Sequence, residues 1–194
     1  MPEYNFFAFT SRMKYINRWS LMRNTQNENL SQHSHEVAVI AHALAVISNK
    51  RFGTNYNSER AALIGLYHDT SEILTGDMPT PVKYHSPEIR DAFKGVENIA
   101  TKKLIKMLPN DLRDEYQKIL FEQDEDAKLW ELVKAADKIS ALIKCIEEEK
   151  AGNTEFSKAA ESIKKVIKDM NMPVANVFIK EFLPAYSLTL DQLD

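Results

Sequence analysis

Adjacent imidazole and carboxylate side chains, His68 and Asp69, interrupt an apolar, helix-forming segment over residues 59–74. Glu72 follows one helical turn later, so its carboxylate is expected on the same side as theirs. Polar groups on a buried face need partners, because an unpaired charge is costly to remove from water. A divalent cation is one partner that binds an imidazole and a carboxylate together, so the pair indicates part of a metal site.

A second predicted helix, with Ser31 as its expected N-cap, offers one further histidine to the interior. Its apolar face is formed by Val37, Ile40, Ala41, Leu44 and Ile47. His33 lies four residues before Val37 and shares that face. His35 and His42 lie about half a turn away and are expected to face solvent. Helix geometry therefore selects His33 among the three histidines.

Another predicted helix, over residues 127–150, carries a carboxylate at the edge of its apolar stripe. The stripe is formed by Leu129, Leu132, Val133, Ala136, Ile139, Ile143 and Ile146. Asp137 stands between Val133 and Ser140 on the edge of this stripe. Taken singly, such an aspartate is usually solvated and a buried histidine is usually hydrogen bonded within a core. Their conjunction on three helices is hard to explain by packing alone.

Two imidazoles and two carboxylates make a mixed nitrogen and oxygen donor set. Such a set suits Mn, Co, Fe, Ni or Zn, with positions open for water and substrate. Calcium prefers oxygen ligands, and a structural zinc site would normally use thiolates. The sequence therefore favours a transition-metal site that can take part in chemistry.

The wider pattern predicts an all-α fold. Apolar residues recur at helical spacing, no segment alternates convincingly as a strand, and only five glycines occur in 194 residues. This length indicates one domain over residues 1–194. Eight helices are expected. The first four cover residues 4–16, begin at Ser31, cover residues 58–74 with Ser58 as cap, and extend from Ser86 to about Met107. The other four extend from Pro109 or Asn110 to 121, cover residues 127–150, begin with Thr154 as cap, and cover residues 173–183.

Charge and cysteine content limit the partners and the compartment. The net charge of −3 gives no general attraction to nucleic acid or to an anionic membrane. No apolar run approaches the roughly 20 residues that span a bilayer, and the N-terminus lacks a signal-peptide pattern. The one cysteine, Cys145, cannot form an internal disulfide, which favours a reducing compartment. We therefore expect a cytoplasmic location.

The order His33, His68-Asp69 and Asp137 on successive helices resembles the HD-domain metal-dependent phosphohydrolases. The closer resemblance is to the bacterial HD-domain 5′-deoxynucleotidases, which remove phosphate from deoxyribonucleoside 5′-monophosphates. It covers about residues 6 to 190, and its most specific stretches are residues 16–23, 29–34, 67–84 and 134–137. Ser20 stands where this family commonly has proline, and the family's functional positions are otherwise matched.

The resemblance implies that His33, His68, Asp69 and Asp137 bind one divalent transition-metal ion, with Co, Mn, Ni, Fe, Cu and Zn as candidates. A divalent ion lowers the pKa of bound water and neutralises a phosphoryl oxygen. The family assigns Glu72 to the catalytic water, as base or orienter, whereas a glutamate at this position could otherwise cap or pair on a surface. Asp69 and Asp137 are also implied to contact the substrate.

Arg18 and Trp19 are assigned to the substrate by the same resemblance. Arginine matches phosphate geometry with a two-pronged hydrogen bond, and the family uses Arg18 as a phosphate clamp that stabilises the developing charge. The family's tryptophan lies against the sugar, where a 2′-hydroxyl would clash, so Trp19 implies selectivity against ribonucleotides. Without the resemblance, Arg18 would be interpreted as a surface charge and Trp19 as part of the core.

A stiff loop rich in proline and glycine, residues 75–81, follows Glu72. Asp77 in this loop has turn chemistry, but the resemblance places it near the phosphoester as a candidate proton donor to the leaving 5′-oxygen. Met78, Pro79 and Thr80 are implied to contact the nucleotide, largely through the backbone.

The sequence thus predicts a single all-α HD-type domain that acts as a 5′-deoxynucleotidase on a small-molecule deoxynucleoside 5′-monophosphate. Two alternatives remain: another HD phosphohydrolase, acting on a dNTP, a cyclic nucleotide or a (p)ppGpp-like substrate, and a non-catalytic metal-binding scaffold. The family also implies a homodimer, to which aromatic residues near both ends could contribute unless they pack within one subunit. These are Phe6, Phe7, Phe9, Phe178 and Phe182. Roles for Arg23, Lys83 and His85 stay open.

Overall fold

A computed structural model of the protein describes residues 3–83 and 85–193, and its regular structure is helical. Tyr84, which ends one of the resemblance stretches, lies outside these residues. Within them, the extended pairing is an isolated antiparallel bridge between Asn17 and Asn29, which confirms the all-α prediction. The α-helices are α1 (Phe6–Thr10), α2 (Leu30–Phe52), α3 (Ser58–Tyr67), α4 (Glu72–Thr75), α5 (Thr80–Lys83), α6 (Pro87–Ile105), α7 (Asn110–Leu120), α8 (Ala127–Lys150), α9 (Ser157–Asp169) and α10 (Pro173–Glu181).

Short 3₁₀ segments connect or extend several helices. They are Ser11–Tyr15, Asp124–Asp126, Thr154–Phe156, Leu183–Ser187 and Leu190–Gln192. The predicted helix over residues 4–16 is thus α1 followed by a 3₁₀ turn, and the helix predicted to reach residue 183 ends at Glu181. Among the described residues, no helix has the length and apolarity needed to cross a membrane.

The core is built around α2 and α8, with α3, α9 and α10 packed against them. The predicted faces are confirmed, because Val37, Ile40 and Leu44 of α2 are completely or almost completely buried with Ile139 and Ile143 of α8. A second, smaller cluster joins the N-terminal segment to the α6–α7 region through Phe6, Leu104 and Leu108. The first cluster holds the helices that carry the histidines and Asp137.

Asparagine takes the place of the predicted serine or threonine cap at three elements, whereas Ser86 caps α6 as expected by accepting from the Ile89 N–H at 3.3 Å. Asn29, not Ser31, caps α2: its Oδ1 accepts from the backbone N–H of Ser31 at 3.0 Å and of Gln32 at 3.1 Å. Gln32 accepts in return from the Asn29 N–H at 3.0 Å, which completes a capping box. Asn57, rather than Ser58, caps α3, and Asn153, rather than Thr154, caps the 3₁₀ segment Thr154–Phe156. Asparagine is an equally good cap, and it comes one residue earlier in each case.

The prediction of one helix over residues 58–74 was wrong. α3 ends at Tyr67, and Thr70 closes the turn by donating both its hydroxyl at 2.7 Å and its backbone N–H at 3.1 Å to the Tyr67 carbonyl. A threonine hydroxyl that bonds a nearby carbonyl competes with helix continuation. His68 and Asp69 therefore lie in a turn, and Glu72 begins the separate helix α4.

Candidate active site

Three elements bring the predicted ligands together: the first turn of α2, the turn after α3 and the middle of α8. Asp69 is at the centre, because its Oδ2 lies 3.1 Å from His68 Nε2 and 3.5 Å from His33 Nε2. Ligand atoms of these three residues all lie within 4.8 Å of one another. The periodicity argument for His33 is confirmed, since its side chain is fully buried while His35 and His42 are exposed.

Both imidazoles are oriented by hydrogen bonds at Nδ1, and the surroundings of their Nε2 atoms show whether the site fits a cation. His33 Nδ1 lies 3.1 Å from the hydroxyl of Ser140, which donates its hydrogen to Glu36 at 2.6 Å and thus accepts from Nδ1–H. His68 Nδ1–H donates to the Gly65 carbonyl at 2.7 Å. Both Nε2 atoms are buried and have no hydrogen-bond partner among the described residues. Orphaned, oriented nitrogens beside ionised carboxylates fit a divalent cation.

Asp137 lies at the edge of this group. Its Oδ1 is 3.2 Å from His33 Nε2, and its Oδ2 accepts from the Lys138 ammonium at 2.9 Å. Burial, the largest single influence, would raise the pKa of Asp137, but Lys138 and His33 outweigh it and hold the pKa well below the usual range. The carboxylate is therefore ionised and available as a ligand, although it lies outside the compact group formed by the other three.

Asp69 is also ionised. Its burial would raise the pKa, but His68 and His33 lower it well below the ordinary value for an aspartate. Because a carboxylate must be deprotonated to bind a metal ion, this low pKa favours binding across the neutral range.

Glu72 has the opposite electrostatic environment. Its side chain is 5% exposed, and its Oε2 has no hydrogen-bond partner within residues 3–83 and 85–193. Burial, followed by the negative charges of Asp69 and Asp77, raises the pKa of Glu72 to about 9. Strongly perturbed carboxyls in such places are typical of acid and base groups.

Arg18 places a permanent positive charge beside the ligand group. Its Nη1 lies 3.5 Å from Asp69 Oδ2 and 3.9 Å from Asp77 Oδ1, and its Nε donates to Glu28 at 3.4 Å. Burial, the largest single influence, would lower the pKa of Arg18, but Asp137, Asp69 and Glu28 raise it above its ordinary value. A guanidinium in this position is a ready partner for an anion.

Trp19 is held in an unusual conformation next to Arg18. Its φ of 58° is in the left-handed region, which costs a residue other than glycine about 1–3 kcal/mol. The indole Nε1–H donates to Glu28 Oε2 at 2.8 Å, and the ring centroid lies 5.3 Å from that of Phe156. The structure therefore fixes both the backbone and the ring of Trp19.

The segment after α4 brings Asp77 to Arg18. Burial raises the pKa of Asp77 above its usual value, with Arg18 opposing the shift. Met78 and Pro79 are half-buried, and Thr80 is exposed at the start of α5. The Pro79 carbonyl already accepts from the backbone N–H groups of α5, at 2.8 Å and 3.0 Å.

Glu28, Ser140 and Glu36 are functional candidates that were missed from the sequence. Glu28 lies outside the predicted helices, and no local pattern distinguished it. Ser140 was detectable in principle, because it lies three residues after Asp137 on the same helix face.

The residues with open roles do not reach the ligand group directly. Lys83 donates to Glu97 at 2.7 Å, and its pKa is raised, mainly by Glu97 against the opposing effect of burial. Arg23 and His85 are exposed.

A helical fold that brings two histidines and an aspartate together in this way is that of the HD-domain phosphohydrolases. A solved HD-domain phosphohydrolase from Listeria innocua superposes with a TM-score of 0.81 and 26% identity, over 94% of this chain and 88% of that one. A cyanophage S-2L HD phosphohydrolase, bound to dA and one catalytic Zn²⁺ ion, shares the fold with a TM-score of 0.64 and 18% identity, over 94% of this chain and 96% of that one.

The family model described as 5′-deoxynucleotidase YfbR-like matches residues 5–186. A 5′-deoxynucleotidase from Photorhabdus laumondii is 48% identical over 189 residues, which cover 97% of this chain and 96% of the relative. One from Yersinia pestis is 47% identical with the same coverage. The chain therefore belongs to the YfbR-like 5′-deoxynucleotidase family, and it is a phosphohydrolase.

Proposed function

We propose that the protein is a metal-dependent 5′-deoxynucleotidase that converts deoxyribonucleoside 5′-monophosphates to deoxynucleosides and phosphate, with selectivity against ribonucleotides. The observation that carries the proposal is the contact of Asp69 Oδ2 with both imidazoles and, at 3.5 Å, with Arg18. A cation site and a guanidinium thus share one carboxylate, which is the arrangement that a phosphate monoester needs. The family names of the relatives support the substrate class.

His33, His68, Asp69 and Asp137 would hold one divalent ion, with the two Nε2 atoms and the ionised carboxylates as donors. When bound, such an ion supplies activation of water and neutralisation of phosphoryl charge. The donor set does not choose among Co, Mn, Ni, Fe, Cu and Zn, because selection depends on availability as much as on affinity. Zn²⁺ in the cyanophage enzyme is one precedent within the fold.

Arg18 binds and orients the phosphate in this proposal. Its guanidinium is already ordered by Asp69, Asp77 and Glu28, so little side-chain entropy is lost when an anion arrives. Because its positive charge is permanent, it also stabilises negative charge that develops on the phosphoryl oxygens. Asp69 and Asp137 line the same space and limit how the phosphate enters.

Glu72 accepts a proton from the attacking water and positions that water. A carboxylate with a pKa of about 9 is a strong base once it is deprotonated. Positive charge bound at Asp69 offsets one cause of the raised pKa, the repulsion between the two carboxylates, and so favours the basic form.

Asp77 donates a proton to the leaving 5′-oxygen. Its raised pKa keeps the acid form populated to higher pH than for an ordinary aspartate, and an alcohol leaves more readily than an alkoxide. Trp19 lies against the sugar and excludes a 2′-hydroxyl. Met78, Pro79 and Thr80 complete the nucleotide contacts.

A nucleotide panel with phosphate detection tests the substrate and the selectivity. We expect dAMP to be hydrolysed with a kcat/KM at least about tenfold above that of AMP, a difference of roughly 1.4 kcal/mol. Equal turnover of dAMP and AMP would refute the exclusion by Trp19. Preferred turnover of a dNTP, a cyclic nucleotide or a (p)ppGpp-like compound would identify another HD phosphohydrolase.

Substitution of the base tests the mechanism. Glu72→Gln is expected to lower kcat by about 10²–10⁴-fold with metal stoichiometry unchanged, because general base catalysis contributes in that range. Glu131→Gln is the matched control, since Glu131 is exposed and pairs with Lys128. Metal binding without turnover in the parent protein would instead favour a non-catalytic scaffold.

Domain organisation, assembly and location stay proposals. One buried cluster contains residues from Val37 to Leu183, which supports a single domain over residues 1–194. For the proposed homodimer, Phe6 and Phe178 are buried within the subunit, whereas Phe7 and Phe182 are exposed and remain able to contribute. A monomeric mass by light scattering would exclude the dimer, and the cytoplasmic location is a prediction that fractionation can check.

A further inference from the structure

We propose that Glu28 is the positioning residue that holds Trp19 and Arg18 in the arrangement needed for substrate selection. This inference rests on the proposed function and adds a residue to it. One carboxylate oxygen, Oε2, accepts from the Trp19 indole at 2.8 Å and from Arg18 Nε at 3.4 Å. The other, Oε1, lies 3.7 Å from His33 Nδ1. Glu28 thus contacts the sugar-side residue, the phosphate-side residue and a metal-ligand histidine.

The backbone of Glu28 is tied to the same residues. Its carbonyl accepts from the Arg18 N–H at 2.9 Å, beside the bridge between Asn17 and Asn29. Leu30 N–H donates to the Ile16 carbonyl at 3.0 Å on the other side. The two ends of the loop over residues 17–29 are therefore paired, and the Glu28 side chain is aimed at Trp19 and Arg18 by its own backbone pairing.

The loop is also fastened to α8 on its far side. The Glu148 carboxylate accepts from the backbone N–H of Thr25 at 2.9 Å, from its hydroxyl at 2.7 Å and from the backbone N–H of Gln26 at 3.3 Å. Lys144 donates to Glu148 and to the Gln26 carbonyl. With its ends paired and its middle anchored, the loop presents Glu28 as a rigid support.

Trp19 needs such a support because of its backbone conformation. A bulky residue at φ 58° persists only when its surroundings hold it there. Phe156 supports the ring from one side, and the Trp19 carbonyl accepts from Met22 N–H at 2.9 Å. The indole N–H has Glu28 as its acceptor, so Glu28 sets the rotation of the ring and with it the space left for a sugar substituent.

The test compares Glu28→Ala and Glu28→Gln with substitutions of Glu147. Glu147 is the matched control, because it lines the same cleft of 520 Å³ as Glu28 but has no described contact with Trp19 or Arg18. Glu28→Ala is expected to lower the ratio of kcat/KM for dAMP to that for AMP by about tenfold, a typical loss for a hydrogen bond to a charged group. Glu28→Gln keeps an acceptor oxygen for the indole and should retain most of the ratio. Glu147→Ala should leave it unchanged.

A spectroscopic measurement tests the same inference without turnover. The chain has two tryptophans, and Trp130→Phe leaves Trp19 as the only tryptophan, whose emission is excited selectively at wavelengths that tyrosine does not absorb. The Trp130 Nε1 has no hydrogen-bond partner in the described part of the chain, so this replacement removes no observed bond. In that background, Glu28→Ala should shift the Trp19 emission to longer wavelength and increase its quenching by acrylamide, whereas Glu147→Ala should not.

The outcomes separate the two proposals. An unchanged dAMP to AMP ratio and unchanged Trp19 emission in Glu28→Ala would overturn the role of Glu28, as would equal losses in Glu28→Ala and Glu28→Gln. If Glu28→Ala does not fold by circular dichroism, Trp19→Phe removes the indole donor instead, and wild-type selectivity in that variant would overturn the role. A parent protein that hydrolyses no deoxynucleotide would refute the proposed function, while the emission comparison would still decide on Glu28.

Discussion

Gly65→Ala is the substitution that most directly tests how the helices place the two histidines. A Cβ at Gly65 would lie 2.9 Å from the Cα of Ala38 and 3.2 Å from the Val37 carbonyl oxygen, both of them backbone atoms of α2. Backbone atoms cannot rotate away, so α3 has to move relative to α2. These helices position His68 and His33, and the Gly65 carbonyl itself accepts from His68 Nδ1 at 2.7 Å.

Two opposing effects decide the change in stability. Alanine in a helix interior is favoured over glycine by about 1 kcal/mol. Forcing a methyl group into packed backbone costs about 1–3 kcal/mol, and this contact is at the severe end because it is closer than real Cβ contacts. We expect a net loss of roughly 1–2 kcal/mol in the free energy of unfolding. Gly95→Ala is the matched control: Gly95 also lies in a helix, but nothing is within 4 Å of the added Cβ, so a gain of about 0.5–1 kcal/mol is expected.

Urea unfolding and calorimetric metal titration of both variants measure these effects. The two substitutions should differ by about 1.5–3 kcal/mol in stability. Gly65→Ala alone should weaken metal binding, because the Nε2 atoms of His33 and His68 move apart. If Gly65→Ala were as stable as Gly95→Ala and bound metal like the parent, the close helix contact would not be what positions the histidines.

Two further predictions concern buried charge and the metal. Glu148→Gln should lower the free energy of unfolding by about 3–5 kcal/mol, because it leaves the buried Lys144 ammonium without its charged partner. Burial would raise the pKa of Glu148, but hydrogen bonds from Lys144 and Thr25 outweigh it and lower the pKa. The contribution of Glu148 to stability is therefore present above about pH 4.5 and is lost as the pH falls. Thermal melts of the variant should depend less on acid pH than those of the parent. Chelation of divalent ions should lower the Tm of the parent reversibly. For a metal ion initially present at 100 times its Kd, the loss of stability is about 2.7 kcal/mol. The Tm of His33→Ala should not respond to the chelator.

Helical periodicity was sufficient to choose His33 because its position is set by the long, regular helix α2. A residue four positions before Val37 must share the Val37 face, and the burial of His33 follows from that relation. The boundaries were less predictable. Asparagine and serine are comparable caps, so a sequence such as Asn29-Leu30-Ser31 has two candidate starts, and only the hydrogen bonds from Ser31 and Gln32 identify Asn29.

The end of α3 depends on a side-chain hydrogen bond that periodicity does not describe. Apolar residues continue beyond His68, so the pattern extends the helix to Leu74, but the Thr70 hydroxyl takes the Tyr67 carbonyl. This break changes the chemistry of the site. Glu72 starts a separate helix and is buried near Asp69 and Asp77, rather than lying one turn along the helix that carries His68.

Glu28 could not be assigned from the sequence, and the position of Ser140 on the Asp137 face did not reveal its partner, since both roles depend on contacts between residues far apart in the chain. Ser140 on α8 reaches His33 on α2, 107 positions away, and Glu28 acquires its role only when the loop folds back on Trp19. Such pairs have no local signature.

The two Nδ1 hydrogen bonds explain why both histidines present the same nitrogen to the ligand group. In His68 the acceptor is a backbone carbonyl three residues earlier, so the orientation follows from the end of α3 itself. In His33 the acceptor is the Ser140 hydroxyl, whose hydrogen is taken by Glu36. The Gly65 carbonyl can accept from His68 at any pH. The Ser140 oxygen accepts from His33 only while the Ser140 hydroxyl donates its own hydrogen to Glu36. The orientation of His33 therefore depends on packing between α2 and α8, and that of His68 on local backbone, so the contact at Gly65 between α2 and α3 determines whether the two nitrogens converge.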